Sequence, residues 1–263
     1  MPESRERVSV SIVSHRHGAM LPGLFADLER HRYADVEVLL TLNVPEDLPF
    51  DPGGFRFPVQ LIRNSEPRGF GTNHNTAFKA SRHGLYCVCN PDVRLPSDPF
   101  APLAERLTDR LTGIAAPLVR APDGAVEISA RSFPTPIVIL RKALLGPQPP
   151  DYSAGEPDRS PDWVGGMFML FTREAYASVG GFDERYHLYY EDVDICARMR
   201  LAGRKIVFCP TVEIVHAARR ESHRSLRYFA WHVVSMLRFF LSAPFRRLVL
   251  FRRARGSGSI ESG

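Results

Sequence analysis

LYCVCNPDV, residues 85–93, decides the fold. Leu85 to Cys89 is almost wholly apolar and ends in Asn90-Pro91-Asp92. A strand without a polar face is buried on both sides, as interior strands of helix-covered parallel sheets are. The pattern continues outward from it. Val8 to Val13, Val36 to Leu42 and Phe57 to Ile62 read as three earlier strands. Leu21, Leu24, Phe25 and Leu28 recur at helical spacing, and Asn73 to Ser81 fits a helix opening after Gly69-Phe70-Gly71. A helix around Leu103 to Leu107 precedes a strand near Ile114 to Val119. Strands alternating with helices predict a layered α/β sheet with mostly parallel strands.

The second half is less regular. Ala121 to Glu127 reads as a turn with strand flanks, and Pro147 to Pro161 as a Pro-, Asp- and Ser-rich loop. Val164 to Phe171 is a strand led by Gly165-Gly166. Glu191 to Leu201 is a helix closed by Gly203, a natural C-cap. Lys205 to Phe208 and Val212 to Val215 are two short strands.

The 263 residues are 44% hydrophobic and 24% charged, which excludes wholesale disorder and allows one large domain or two small ones. Cys87, Cys89, Cys196 and Cys209 form no CxxC pair, so reduced thiols are expected rather than a disulfide scaffold or a zinc site. The polar N-terminus reads as no signal peptide, and no apolar run reaches the roughly 20 residues of a membrane span. The expected location is therefore cytosolic or on a membrane surface.

Charge is unevenly spread. Net charge is +5, yet residues 219–263 carry ten Arg against Glu221 and Glu261. That segment is +8 and the remainder −3. Such a tail calls for an anionic partner, membrane or nucleic acid. Arg224 to Leu241 is the last helix expected, with Leu226, Phe229, Val233, Leu237 and Phe240 on one face and Arg224, Arg227, Trp231 and Arg238 on the other. Pro244 ends or kinks it. Both an interfacial helix and a helix packed on its domain with solvated arginines fit this pattern. For 245–255, where Arg alternates with Leu, Val and Phe, membrane contact is the favoured reading.

Three places could carry chemistry. Glu191-Asp192 opens a helix, where a carboxylate pair ordinarily does no more than complement the helix dipole. It also follows Tyr186, Tyr189 and Tyr190, and an aromatic-walled pocket holding a carboxylate suits a sugar and a general base. Asp92 lies past the carboxyl end of the buried strand, where α/β sheets bind ligands and where a hard cation could hold phosphates. His216 matters only as a partner of Asp92, since imidazole suits manganese better than magnesium.

The series VSIVS (10–14), RGFGTNHNTA (68–77), NPDV (90–93), RSFPTP (131–136), WVGGMFMLFTREAY (163–176), VGGFDERYHLYYEDVDICARMRLAG (179–203) and PTVEIVH (210–216) resembles glycosyltransferase family 2, in its rhamnosyltransferase-like branch. The resemblance implies a GT-A fold over residues 1–218, a Rossmann-like α/β domain, followed by the basic amphipathic helix and tail at 219–263. It implies an inverting, metal-dependent transfer of a sugar, with rhamnose the family-weighted choice, from a dTDP- or UDP-sugar donor. The acceptor would be a hydroxyl of a growing lipid-linked glycan at the inner face of the cell membrane, contacted peripherally through 219–255, with no nucleic acid as partner.

By position in the motifs, Asp192 would be the catalytic base and Glu191 would orient it. Asp92 and His216 would hold Mn2+ or Mg2+. Ser14, Asn43, Asn75, Asp92 and Gly166 would lie on the donor side, and Trp163, Asp183 and Glu184 on the acceptor side. Asn90 replaces the first acid of the family's usual DxD, and Thr41-Leu42-Asn43 lacks the Asp expected to contact the nucleobase. A sugar nucleotidyltransferase and a non-catalytic, membrane-associated binding protein of the same fold are the competing readings. The first wants a glycine-rich phosphate loop after the first strand, where Ser14-His15-Arg16-His17-Gly18 stands instead.

Overall fold

The computed structural model describes residues 7–32, 35–135, 146, 152–217 and 226–257, with side chains placed as far as 250. Residues 147–151 of the Pro-rich loop, Pro136 of RSFPTP, and Arg219, Arg220 and Arg224 of the basic tail lie outside the described residues.

The first half is a parallel wing. Strands β1 (Val8–Ser14), β2 (Val36–Leu42), β3 (Val59–Arg63) and β4 (Leu85–Cys89) take the order β3-β2-β1-β4. Every residue of β2 and β4 is buried, as an apolar run requires when helices cover both faces, whereas edge strand β3 is only half-buried. Helices α1 (Leu21–Arg32) and α2 (Phe70–Ala80) make the crossovers. Ser14 pairs in register with Leu42, and Ile12 with Cys89. The carboxyl ends of β1, β2 and β4 therefore form one rim.

The second half comprises β5 (Val93–Arg94), α3 (Phe100–Leu107), β6 (Thr112–Arg120), β7 (Val126–Glu127), β8 (Ala130–Arg131), β9 (Trp163–Val164), β10 (Phe168–Thr172), α4 (Arg173–Ser178), α5 (Glu191–Leu201) and β11 (Lys205–His216). The sheet runs β3-β2-β1-β4-β10-β6-β11-β5. β1–β4, β6 and β11 point one way, and β10 and β5 the other. Two expectations are corrected. The strand foreseen over 164–171 breaks at Gly165-Gly166 into β9, paired with β8, and β10, inserted antiparallel between β4 and β6. The two strands foreseen over 205–215 are one, with a register shift between Cys209 and Glu213, where Pro210 removes a ladder donor. Buried apolar side chains form two clusters, one centred on β1, β2, α1 and α3 and the other on β10, α4, α5 and the GGF turn. All four cysteines are buried free thiols.

The tail forms two helices, α6 (Leu226–Leu241) and α7 (Ala243–Ser257). Pro244 ends the first and opens the second, as its fixed φ and missing N–H favour. The stripe expected on α6 exists but faces outward: Leu226 is 89%, Phe229 61% and Leu237 51% exposed. The inward face is built instead around Ser235 and Phe239, both buried. Among the described residues no helix is long and apolar enough to cross a membrane.

One backbone position invites a stability test. Gly181 has φ +68°, and a Cβ there would collide with Asn75 Oδ1. Its neighbour Gly180 has φ +74° with nothing within 4 Å. Gly180→Ala is expected to cost about 1 kcal/mol of backbone strain. Gly181→Ala adds the clash with a buried amide and should cost roughly 3 kcal/mol. Urea unfolding of both variants measures the difference.

Candidate active site

Beyond β4 the chain turns at Asn90, whose N–H donates to Met167 O at 2.9 Å. Asp92 follows, and β5 then pairs with the end of β11, placing His216 against Val93. Ala217 N donates to Asp92 O at 3.0 Å and closes the clip. Asp92 Oδ1 thereby stands 3.3 Å from His216 Nε2, with both side chains about nine-tenths buried. That contact is an ion-pair distance rather than a formed hydrogen bond, since Asp92 Oδ1 is buried without a hydrogen-bond partner. On the far side of the ring His216 Nδ1 lies 3.1 Å from Glu127 Oε2. Glu127 comes from β7, which pairs with the end of β6. Burial alone would lower the His216 pKa; Asp92 and Glu127 outweigh it and raise it to about 9.

This set fits a divalent cation. A buried carboxylate oxygen with no other partner and an imidazole Nε2 converge, and a second carboxylate holds the opposite ring nitrogen, as metal-ligating histidines require. The described residues gather no third His, Cys, Asp or Glu ligand there. Oxygen and nitrogen donors together suit Mn2+ at least as well as Mg2+. Glu127 was missed in the sequence because a two-residue strand inside a turn carries no periodic signal.

Glu191 and Asp192 open α5 after Tyr189 and Tyr190, both left-handed at φ 70° and 66°. Asp192 is partly exposed. Its Oδ2 accepts from Gly166 N at 3.1 Å and its Oδ1 from Val193 N at 2.8 Å. Burial raises its pKa, and those two N–H groups only partly offset the rise. Glu191 is buried, its Oε2 has no hydrogen-bond partner, and burial followed by the Asp192 charge pushes its pKa well up. Gly166 and Val193 hold the Asp192 carboxylate, so the orienting role expected of Glu191 has no such bond behind it. Arg198 pairs with buried Asp194 at 2.7 Å and donates to Gly181 O at 2.7 Å, tying α5 to the GGF turn.

The two carboxylate sites meet at residues 166–167. Asn90, two residues before Asp92, is bonded to Met167 O, and Asp192 to Gly166 N. Asp92, His216, Gly166 and Asp192 thus share the rim at the carboxyl end of β4.

The other candidates divide. Ser14 ends β1 on the same rim, its hydroxyl accepting from His17 N at 3.1 Å. Asn43 follows β2, but its amide is fully engaged: Nδ2 approaches Arg68 O and His15 Nδ1, and Oδ1 accepts from Arg68 N and Asn64 Nδ2. Asn75 is spent likewise, on Phe182 O, Glu184 Oε1, Tyr176 OH and Phe182 N. Four bonds exhaust a side-chain amide. In this structure Asn43 fixes the 64–68 loop and Asn75 fixes the GGF turn. Trp163 pairs with Arg131 across β9 and β8, donates to Ser132 O at 3.0 Å, and has the Arg131 guanidinium over its ring at 5.6 Å. Asp183 is clamped by Arg185 at 2.6 Å, and exposed Glu184 accepts from Asn75.

A sheet of this order with flanking helices, and acid residues at the end of β4 and at the head of α5, is that of a GT-A glycosyltransferase. Among solved structures, a mannosyltransferase from Pyrobaculum calidifontis in complex with GDP-Man and Mn2+ superposes with a TM-score of 0.63 at 19% identity, over 89% of this chain and 64% of that one. Staphylococcus aureus TarS 1–349 in complex with UDP-GlcNAc gives 0.64 at 10% identity, over 90% and 67%. Residues 55–233 match the family described as glycosyltransferase like family 2, and the chain belongs to it. It is 32% identical over 248 residues to the N-acetylglucosaminyl-diphospho-decaprenol L-rhamnosyltransferase of Mycobacterium tuberculosis, over 86% of this chain and 80% of that one. It is 27% identical to rhamnosyltransferase WbbL of Escherichia coli, over 65% and 69%. The protein is a glycosyltransferase.

Proposed function

We propose that this enzyme transfers a sugar, rhamnose by analogy with the two relatives, from a dTDP- or UDP-linked donor to a hydroxyl of a lipid-linked glycan, inverting the anomeric centre. The observation that carries the reading is the shared rim, where Asp92 with His216 and Asp192 with Gly166 flank residues 166–167. The donor diphosphate would lie toward Asp92, past the carboxyl ends of β1 and β4. Asp92 and His216 would hold Mn2+ or Mg2+, which supplies positive charge against a leaving diphosphate. Asp192 receives the acceptor hydroxyl's proton as that oxygen attacks. One base and one displacement give inversion. Trp163, with Arg131 on its face, would wall the acceptor side. Residues 219–255 would keep the enzyme at the inner face of the cell membrane, where a lipid-linked acceptor is presented.

A thermal-shift panel tests the donor assignment. Nucleoside diphosphates and nucleotide-sugars are added with and without Mn2+ or Mg2+. At a hundredfold excess over Kd the matching ligand stabilises by about 2.7 kcal/mol. A metal-dependent shift with one base is expected. Equal shifts for all bases without metal would count against the diphosphate–cation assignment.

A further inference from the structure

The helix α6 is apolar on two opposite faces, an arrangement that normally means burial on both sides. Among the described residues only one face is covered. The inward face lies on the loop that leads into Glu191-Asp192: the Trp231 ring packs tilted against His187 at 4.5 Å, His232 edge-on against Tyr190 at 5.4 Å, Phe239 tilted against Tyr190 at 5.8 Å, and Ser235 Oγ donates to Leu188 O at 2.8 Å. The outward face leaves Leu226, Phe229, Val234, Leu237 and Leu241 between 51% and 89% exposed. At about 1.5 Å per residue the stripe runs on the order of 22 Å. Between residues 226 and 257 there are seven Arg and no acidic residue. Arg227 and Arg238 lean on Trp231 and Tyr186, along one flank of the helix, and Arg246 and Arg247 are exposed on α7. Long cationic side chains beside an apolar stripe can keep their heads at lipid phosphates while the stripe enters the acyl boundary.

We infer that the outward face of α6 docks on an anionic lipid bilayer, while its inward face holds the loop carrying Asp192. The acceptor side of the cleft is then held at the membrane by the helix that is embedded in it. This deepens the lipid-linked-acceptor reading and rests on it for its purpose, but the docking itself can be measured without donor or acceptor.

The full chain is sedimented with vesicles of phosphatidylcholine alone and of phosphatidylcholine with phosphatidylglycerol. The protein should pellet with the anionic vesicles and stay in solution with the neutral ones. Leu226→Glu with Leu237→Glu changes two exposed side chains, so Tm should hold while vesicle partitioning falls at least about tenfold. Arg246→Gln with Arg247→Gln should lower it on the order of tenfold as well. Equal pelleting of wild type and the Leu variant overturns the proposal. So does a soluble dimer, seen by sedimentation velocity, that the Leu variant dissociates while wild type ignores vesicles. Failure of docking would leave the transferase reading standing. A protein that docks but binds no nucleoside diphosphate would do the reverse.

Discussion

Asp192→Asn is expected to lower turnover on the order of a thousandfold, within the range a positioned general base contributes, while nucleoside diphosphate affinity stays within about twofold. The geometry separates the two quantities. Asp192 is held by Gly166 N and Val193 N on the α5 side of residues 166–167, whereas Asp92 and His216 lie on the β4 side. An amide keeps the shape and an oxygen for one of the two N–H donors but has no lone pair able to take the acceptor's proton. Stability should change little, because the bond lost at the second N–H is set against relief of a charge that burial disfavours. Unchanged or raised Tm beside lost activity is the signature of a site that trades stability for function. The same raised pKa shapes the pH profile: the base is lost as pH falls through a value above the ordinary carboxylate range, so the acid limb of kcat should lie higher than for an unperturbed Asp. Single-turnover rates with calorimetric titration of the diphosphate check both halves. A matching loss of diphosphate affinity would move Asp192 to the donor side.

Much of this site was legible because it rests on strong local signals. β4 is an unbroken apolar run, and the residue that leaves it, Asp92, stands where parallel sheets bind ligands. Glu191-Asp192 follows two glycines and three tyrosines and opens a helix with a clear C-cap. What stayed hidden depends on long-range placement. Sequence periodicity does not reveal that β10 enters the sheet reversed, since strand direction is set by which neighbours complete the ladder. Asn43 and Asn75 have the right polarity for ligand contacts, and only the folded chain discloses the bonds that each also makes to residues 64–68 and 176–184. The apolar stripe of α6 was readable as a pattern, but with a second apolar face built on Trp231 and Phe239 the sequence could not say which side meets the domain. Glu127 offered no pattern at all.

Glu127→Gln should weaken Mn2+ binding tenfold to a hundredfold above pH 9 and much less near pH 7. The His216 ring is held between two carboxylates, 3.3 Å from Asp92 and 3.1 Å from Glu127, and its pKa stands at about 9 against an ordinary 6.5. At neutral pH the metal-free ring is therefore an imidazolium, and a cation reaching Nε2 must displace a proton. For the wild type, affinity should climb about tenfold per pH unit from 7 and level off near 9. Gln at 127 removes one of the charges that raise the pKa, so proton competition eases, but it also removes the carboxylate that enriches Nε2 through Nδ1–H. These effects oppose one another below pH 9, and only the second survives above it. The variant's curve should flatten earlier and lower. Metal-free stability follows the opposite sign: with the folded pKa above the unfolded one, the His216 contribution is full below 6.5 and is lost as pH rises through about 9. That loss amounts to about 3 kcal/mol at 1.36 kcal/mol per unit, and Glu127→Gln should remove much of the slope. Free Mn2+ measured by electron paramagnetic resonance under argon gives the binding curves, and urea unfolding across the same pH range gives the stability. Parallel binding curves for the two proteins would show that Glu127 does not act through His216.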